Sequence, residues 1–183
     1  MKQNEALKIL YHWDRKGRYV FLKRDFAILF NEHGKKLDKT LERLAKSGIL
    51  ERVAHGVYLY SASAHIGAYT LDEIALALRR GEYVFESLES ALSQWGRISQ
   101  IPIDRITYMT TGRSGEFVTP FGVAEFSHTE ANWIEINGNT VRRPNRRIPI
   151  ATEEYALKNL RRVGRNYDLV LEMDAKNAGL VDV

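Results

Sequence analysis

Hydrophobic and polar positions along this chain follow two periods, and the changes from one to the other mark out its elements. Ala6, Leu7, Leu10 and Trp13 recur at helical spacing until Gly17 breaks the pattern. Val20-Phe21-Leu22 is short and β-prone. Arg24 to Phe30 predicts a second short helix with Phe26, Leu29 and Phe30 inward, and His33-Gly34 makes a turn. Lys35 to Ser47 predicts a third helix, stopped by Gly48 at a C′ position. Ile49-Leu50, Val53 and Val57-Tyr58-Leu59-Tyr60 then give two β-prone stretches, joined through Ala54-His55-Gly56, where Gly56 can take a positive φ.

That order, three helices followed by a hairpin, is the order of a winged helix-turn-helix. The small polar run Ser61-Ala62-Ser63-Ala64 predicts a linker after it. Thr70-Leu71-Asp72-Glu73 reads as a capping box, opening a helix with Leu71, Ile74, Ala75 and Leu78 inward. Tyr83 to Phe85 is β-prone, and Ser87 can cap a helix running through Trp95. From Ile103 the pattern turns to strands at Ile106–Thr110, Glu116–Thr119 and Val123–Ser127, with Gly112-Arg113-Ser114-Gly115 and Pro120-Phe121-Gly122 as turns. Trp133–Ile136 and Thr140-Val141 predict a hairpin across Asn137-Gly138-Asn139. Thr152 is placed to cap a helix with Tyr155, Ala156 and Leu160 inward, and Tyr167 to Met173 is a last apolar run. The expected fold class is α+β, with a winged helix-turn-helix over residues 1–61. A mixed α/β domain over 65–183 follows, with a mostly antiparallel sheet.

Composition narrows the function. The 183 residues are 44% hydrophobic and contain no cysteine, so a disulfide framework, a thiolate metal site and a cysteine nucleophile are excluded. No apolar run approaches the ~20 residues of a membrane helix, and the polar start Met1-Lys2-Gln3-Asn4-Glu5 does not read as a signal peptide. The expectation is a cytoplasmic protein with no membrane partner. Charge is distributed in blocks. Residues 1–63 hold 13 Lys and Arg against 7 Asp and Glu, residues 64–141 hold 5 against 10, and residues 142–165 hold 8 against 2. Two basic blocks flanking an acidic middle suggest an anionic partner for part of the chain.

The third helix concentrates that charge. At about 100° per residue, Leu37, Leu41, Leu44 and Ala45 form one apolar stripe. Lys36, Lys39, Arg43 and Lys46 share a face with Thr40 and Ser47, whereas Asp38 and Glu42 fall on the opposite flank. A helix that is merely solvated tends to mix its signs for i,i+4 pairs. A sorted face is what reading phosphates and base edges requires. Lys35, Lys36, Lys39, Thr40, Arg43 and Lys46 are therefore candidate DNA contacts, with Arg43 suited to a guanine edge. Arg52 and His55 on the hairpin are candidate phosphate contacts. Alternatively, His55 is a turn residue, and Arg52 pairs with Glu51 or Glu32. A second basic patch comprises Arg142, Arg143, Arg146 and Arg147, extended by Arg161 and Arg162 and also by Lys158 and Arg165. It reads as a nucleic-acid contact, a docking face for an acidic protein, or a solvated loop paired with the acidic middle.

Catalytic patterns are weak. Gly112-Arg113-Ser114-Gly115 lacks the Lys-Ser/Thr and helix start of a phosphate loop and the spacing of a nucleophile elbow. His12, His33, His55, His65 and His128 show no metal-ligand spacing, and alternation puts Glu125 and His128 on opposite faces of a strand. No catalytic residue, metal site or cofactor is expected. An enzyme acting on nucleic acid, with the winged helix delivering substrate, is the alternative to a regulator.

The run Leu41-Glu42-Arg43-Leu44-Ala45-Lys46-Ser47-Gly48-Ile49-Leu50, followed by Arg52-Val53-Ala54-His55-Gly56-Val57-Tyr58, resembles the winged helix of the AbiEi-type antitoxins. His55 stands where that family more usually has arginine or lysine. Tyr83 to Leu92, closed by Trp95-Gly96, is similar to the family's strand and Ser-Ala-Leu helix, and Ile148 to Leu157 resembles its later strand-to-helix element. The resemblance implies a transcriptional regulator that binds double-stranded operator DNA upstream of its own operon. It further implies the antitoxin of a type IV toxin-antitoxin, or abortive infection, system whose toxin is nucleotidyltransferase-like, and leaves open whether that toxin is bound directly.

Overall fold

The first helical period becomes α1 (Gln3–Asp14), which buries Ala6 and Leu10. The computed structural model describes residues 1–98, 104–166 and 169–170. They form two compact units, Met1–Leu78 and Arg79–Val183.

In the first unit α1 is followed by β1 (Val20–Leu22), α2 (Lys23–Leu29), α3 (Gly34–Lys46), β2 (Leu50–Ala54), β3 (Val57–Tyr60) and α4 (Thr70–Leu78). The three strands form an antiparallel sheet in the order β1-β3-β2. Its core packs aromatic rings against one another: Phe21 and Phe26 lie 5.2 Å apart and Phe26 and Phe30 4.9 Å, while Leu37, Leu41 and Leu44 of α3 are buried beneath the polar face. α3 stops for the reason its sequence suggests. Gly48 takes φ +72° and donates to the Ala45 carbonyl at 3.0 Å, while Ile49 N–H reaches the Leu44 carbonyl at 3.0 Å.

α4 packs within this first unit, beside β1 and β3, so the unit ends at Leu78 instead of at the small polar run 61–64. Leu71, Ile74 and Ala75 are buried there. Thr70 is a helical residue and not an N-cap. Its hydroxyl accepts from Gly67 N–H at 2.9 Å and lies 3.2 Å from the Tyr19 hydroxyl. Ser63, in the expected linker, is hydrogen-bonded to Asp14.

The second unit contains β4 (Val84–Glu86), α5 (Leu88–Gln94), β5 (Arg105–Thr110), β6 (Gly115–Thr119), β7 (Gly122–His128), α6 (Trp133–Gly138), β8 (Thr140–Val141), β9 (Ile150–Ala151) and α7 (Glu153–Val163). Its sheet runs β6-β7-β5-β4-β9-β8. Among the described residues three pairings are antiparallel (β4–β5, β6–β7, β8–β9) and two are parallel (β5–β7, β4–β9), so the sheet is mixed and the fold α+β. α5 and α7 close one face over Phe85, Leu88, Leu92, Met109, Ile150, Tyr155 and Leu160.

Trp133–Ile136 is helical, where its alternation suggests a strand. Asn132 caps it by accepting Glu135 N–H at 3.0 Å, and β8 pairs instead with β9. Thr152 caps α7 as its position suggests, accepting Tyr155 N–H at 3.3 Å. The Tyr167–Met173 run and Ile103 lie largely or wholly outside the described residues. Among the described residues no helix is long and apolar enough to cross a membrane.

Candidate functional site

The sorted helix is α3, and its outer face is basic in three dimensions. Lys35, Lys36, Lys39, Arg43 and Lys46 are all exposed. Lys35 and Lys39 make no ion pair among the described residues, which leaves two ammonium groups with only water to satisfy them. Lys36 lies 3.5 Å from Glu32, and Lys46 lies 2.8 Å from Glu42 one turn earlier. Arg43 donates to the Met1 carbonyl oxygen.

Thr40 does not belong to this face. It is buried, and its hydroxyl donates to Glu32 Oε2 at 2.6 Å. It sits where the basic face meets the apolar stripe, and a neighbouring carboxylate from the α2–α3 connection draws it inward. Glu32 is a residue that the sequence pattern does not single out. It is 3% exposed and holds Thr40, Lys36 and the Met1 ammonium together. Hydrogen bonds from the Met1 ammonium and from Thr40 outweigh its burial and hold its carboxyl down at about 2. No feature of the local sequence marks Glu32 for this role, because its partners come from Met1 and from two turns of α3.

The β2–β3 hairpin lies alongside α3. Arg52 donates to His55 Nδ1 at 3.1 Å, not to Glu51 or Glu32, and Gly56 turns the chain at φ +71°. Lys23 opens α2 at the same place: its backbone N–H donates to the Gly56 carbonyl at 2.8 Å and its side chain pairs with Asp38.

The second basic patch is less uniform than its sequence. Arg146 is buried and ion-paired with Glu86, which is itself 1% exposed, so Arg146 cannot serve as an outward contact. A guanidinium among apolar neighbours requires a carboxylate partner, and β4 supplies one. Arg143 donates to Gln94 and lies over the Trp95 ring at 5.6 Å. Arg165 turns inward onto Glu89 at 3.1 Å and onto Glu125, which Arg105 also holds at 2.7 Å. Burial pushes the Glu125 carboxyl up, but Arg165 and Arg105 outweigh it and keep it below its ordinary value. Arg142, Arg147, Arg161 and Arg162 remain exposed, with Arg162 3.9 Å from Glu130 and Lys158 3.1 Å from Glu135. The acidic middle of the chain is thus in part the internal counter-charge of the second basic block.

The hydroxyl and amide groups beneath the second sheet satisfy one another. Thr107 Oγ1 donates to the Ser87 carbonyl at 2.7 Å, Ser90 Oγ accepts Thr107 N–H at 2.7 Å, and Asn159 donates to Ser87 Oγ at 3.0 Å. Ser87 and Ser90 are thereby bonded into the core, with no histidine among the partners these bonds show. His128 Nδ1 contacts the Gly112 carbonyl at 2.8 Å. Among the described residues no group of three His, Asp or Glu side chains is placed to hold a metal ion.

The fold has a counterpart among solved structures. The RV2827C protein from Mycobacterium tuberculosis superposes with a TM-score of 0.55 at 16% identity, over 86% of this chain and 60% of that one. At that identity the likeness concerns the fold alone, and this chain spans less than two thirds of its neighbour's length. No curated protein matches the sequence. The model of a family of unknown function, DUF6088, matches residues 8–143, from within α1 to the end of β8 and the start of the basic loop, and the chain belongs to that family.

Proposed function

We propose that the first unit is a winged helix-turn-helix that binds double-stranded DNA through α3, and that the chain is a cytoplasmic transcriptional regulator of its own operon. The observation that carries this reading is the outer face of α3, where five cations stand exposed and Lys35 and Lys39 have no ion-pair partner among the described residues. Ammonium groups left to water are ready to displace counterions from a phosphate backbone. The neighbouring hairpin, with Arg52 on β2 and His55 in its turn, supports reading it as a wing. The resemblance to AbiEi-type antitoxins supports a second role for the chain, countering a nucleotidyltransferase-like toxin.

Two measurements test the two roles separately. The full chain should bind the DNA upstream of its reading frame, and Lys39→Ala or Arg43→Ala should weaken that binding by about 1–3 kcal/mol for a base contact and less for a phosphate contact. Equal binding by parent and both variants contradicts the DNA reading. Co-expression with the product of a neighbouring toxin gene should restore growth, and failure of the full chain to do so removes the antitoxin role while leaving the regulator.

A further inference from the structure

A groove of about 520 Å³ separates α3 from the β2–β3 hairpin. Its charged lining is mixed: Lys23, Lys46, Arg52 and His55 face Asp38 and Glu42. Each acid is held by a lysine, Asp38 by Lys23 and Glu42 by Lys46. The second pair is the more open, with side chains 63% exposed for Glu42 and 75% for Lys46, against 53% for Asp38 and 46% for Lys23. Lys23 is also tied into the fold through its backbone bond to Gly56, whereas Lys46 sits on the last turn of α3 with its side chain in water.

When α3 contacts DNA, a phosphate backbone entering beside this groove competes with Glu42 for the Lys46 ammonium, because neutralising phosphates dominates affinity for DNA. Glu42 is then left without its cation in an interface losing water, and an unpaired carboxylate is costly there. Phosphates and deoxyribose within a duplex offer it no donor. The donors in the major groove are exocyclic amino groups, those of cytosine N4 and adenine N6. Adenine sets the N7 acceptor beside its amino group, which repels a carboxylate. Cytosine presents its amino group without that neighbour.

Resting on the proposed role of α3 as the DNA-contacting helix, we infer that Glu42 is a specificity-determining residue that accepts a hydrogen bond from a cytosine amino group in the major groove once Lys46 has moved to phosphate. The acid on the hairpin flank of α3 thus selects sequence, and the cations beside it supply affinity. Asp38, shorter and tied to Lys23, stays with the protein.

The test is selection of duplexes from a randomised library by the full chain. It is followed by binding of the selected duplex, and of its single base-pair variants, to the parent, Glu42→Ala and Glu42→Gln. The parent should lose about tenfold in affinity when the contacted cytosine is replaced by thymine. Glu42→Ala should bring that ratio to within about twofold, and Glu42→Gln should move the preference toward adenine, which an amide reads through N6 and N7. Glu42 is exposed, so both variants should melt with the parent. If the alanine variant alone fails to fold, the near-isosteric Gln variant decides. Unchanged base ratios in the variants overturn the inference. So does a uniform gain on every sequence, since Glu42 would then only repel. A parent that captures no duplex overturns the DNA reading itself, which separates that failure from failure of the Glu42 contact.

Discussion

A carboxylate shielded from water is costly unless its oxygens are occupied, and Glu32 meets that condition through Thr40 and the Met1 ammonium. Its carboxyl, at about 2 in the folded chain, has an ordinary value near 4.5. A depressed value contributes stability that is complete above the ordinary value and is lost as pH falls toward the folded one. The gap in melting temperature between the parent and Glu32→Gln should therefore be widest above pH ~5 and narrow toward pH 2. A gap constant across that range contradicts the role given to this group. Arg146 and Glu86 form the corresponding pair in the second unit. Removing the guanidinium leaves the buried Glu86 carboxylate without that cation, with the Gln94 amide still donating to it, so Arg146→Ala should cost about 3 kcal/mol, read from chemical denaturation of the second unit. A loss below about 1 kcal/mol would place the pair among solvent-screened surface contacts. Neither pair is legible in the sequence. Thr40 lies at the margin of the α3 stripe, where periodicity cannot decide between groove and core. Arg146 sits in a run of four arginines whose burial depends on a partner 60 residues away.

At the scale of elements, local signals work where a single residue type has a single job. Gly48 is legible as the end of α3 because only a residue tolerant of positive φ closes that motif readily. Gly48→Ala should cost about 1–2 kcal/mol, the penalty of a Cβ in the left-handed region, even though that Cβ would meet nothing within 4 Å. No change in thermal stability would show that the αL turn is not maintained in solution. Signals fail where tertiary packing chooses between two local options. Trp133-Ile134-Glu135-Ile136 alternates like a strand, yet Asn132 caps it into a short helix whose Ile136 alone is buried. The end of the first unit is misplaced by the sequence pattern for a similar reason: α4 belongs with β1 and β3 through Leu71 and Ile74, which a small polar run upstream does not reveal. Residues 1–78 should accordingly melt as a cooperative unit. Residues 1–61, lacking two buried side chains worth about 1.5–3 kcal/mol each, should be markedly less stable. Equal melting of the two fragments contradicts this boundary.

At the scale of the whole molecule, the α+β class can be read from the sequence, and the order of strands cannot. The pairing of β5 with β7 passes over β6, and β9 enters between β4 and β8, so neither adjacency follows from neighbouring sequence. Charge shows the same division. The basic block of the first unit keeps Lys35 and Lys39 free of ion pairs among the described residues, whereas the second basic block is partly neutralised by Glu86, Glu89 and Glu125. On the proposed reading, affinity for DNA therefore rests with α3. The most direct test is equilibrium binding of the full chain to its upstream duplex across a salt series, beside a Lys35→Ala/Lys39→Ala double variant. The log–log salt slope should become shallower by about 2, one unit for each lost phosphate contact, with the fold unchanged. An identical slope in parent and variant would contradict the assignment of α3 as the DNA-binding face.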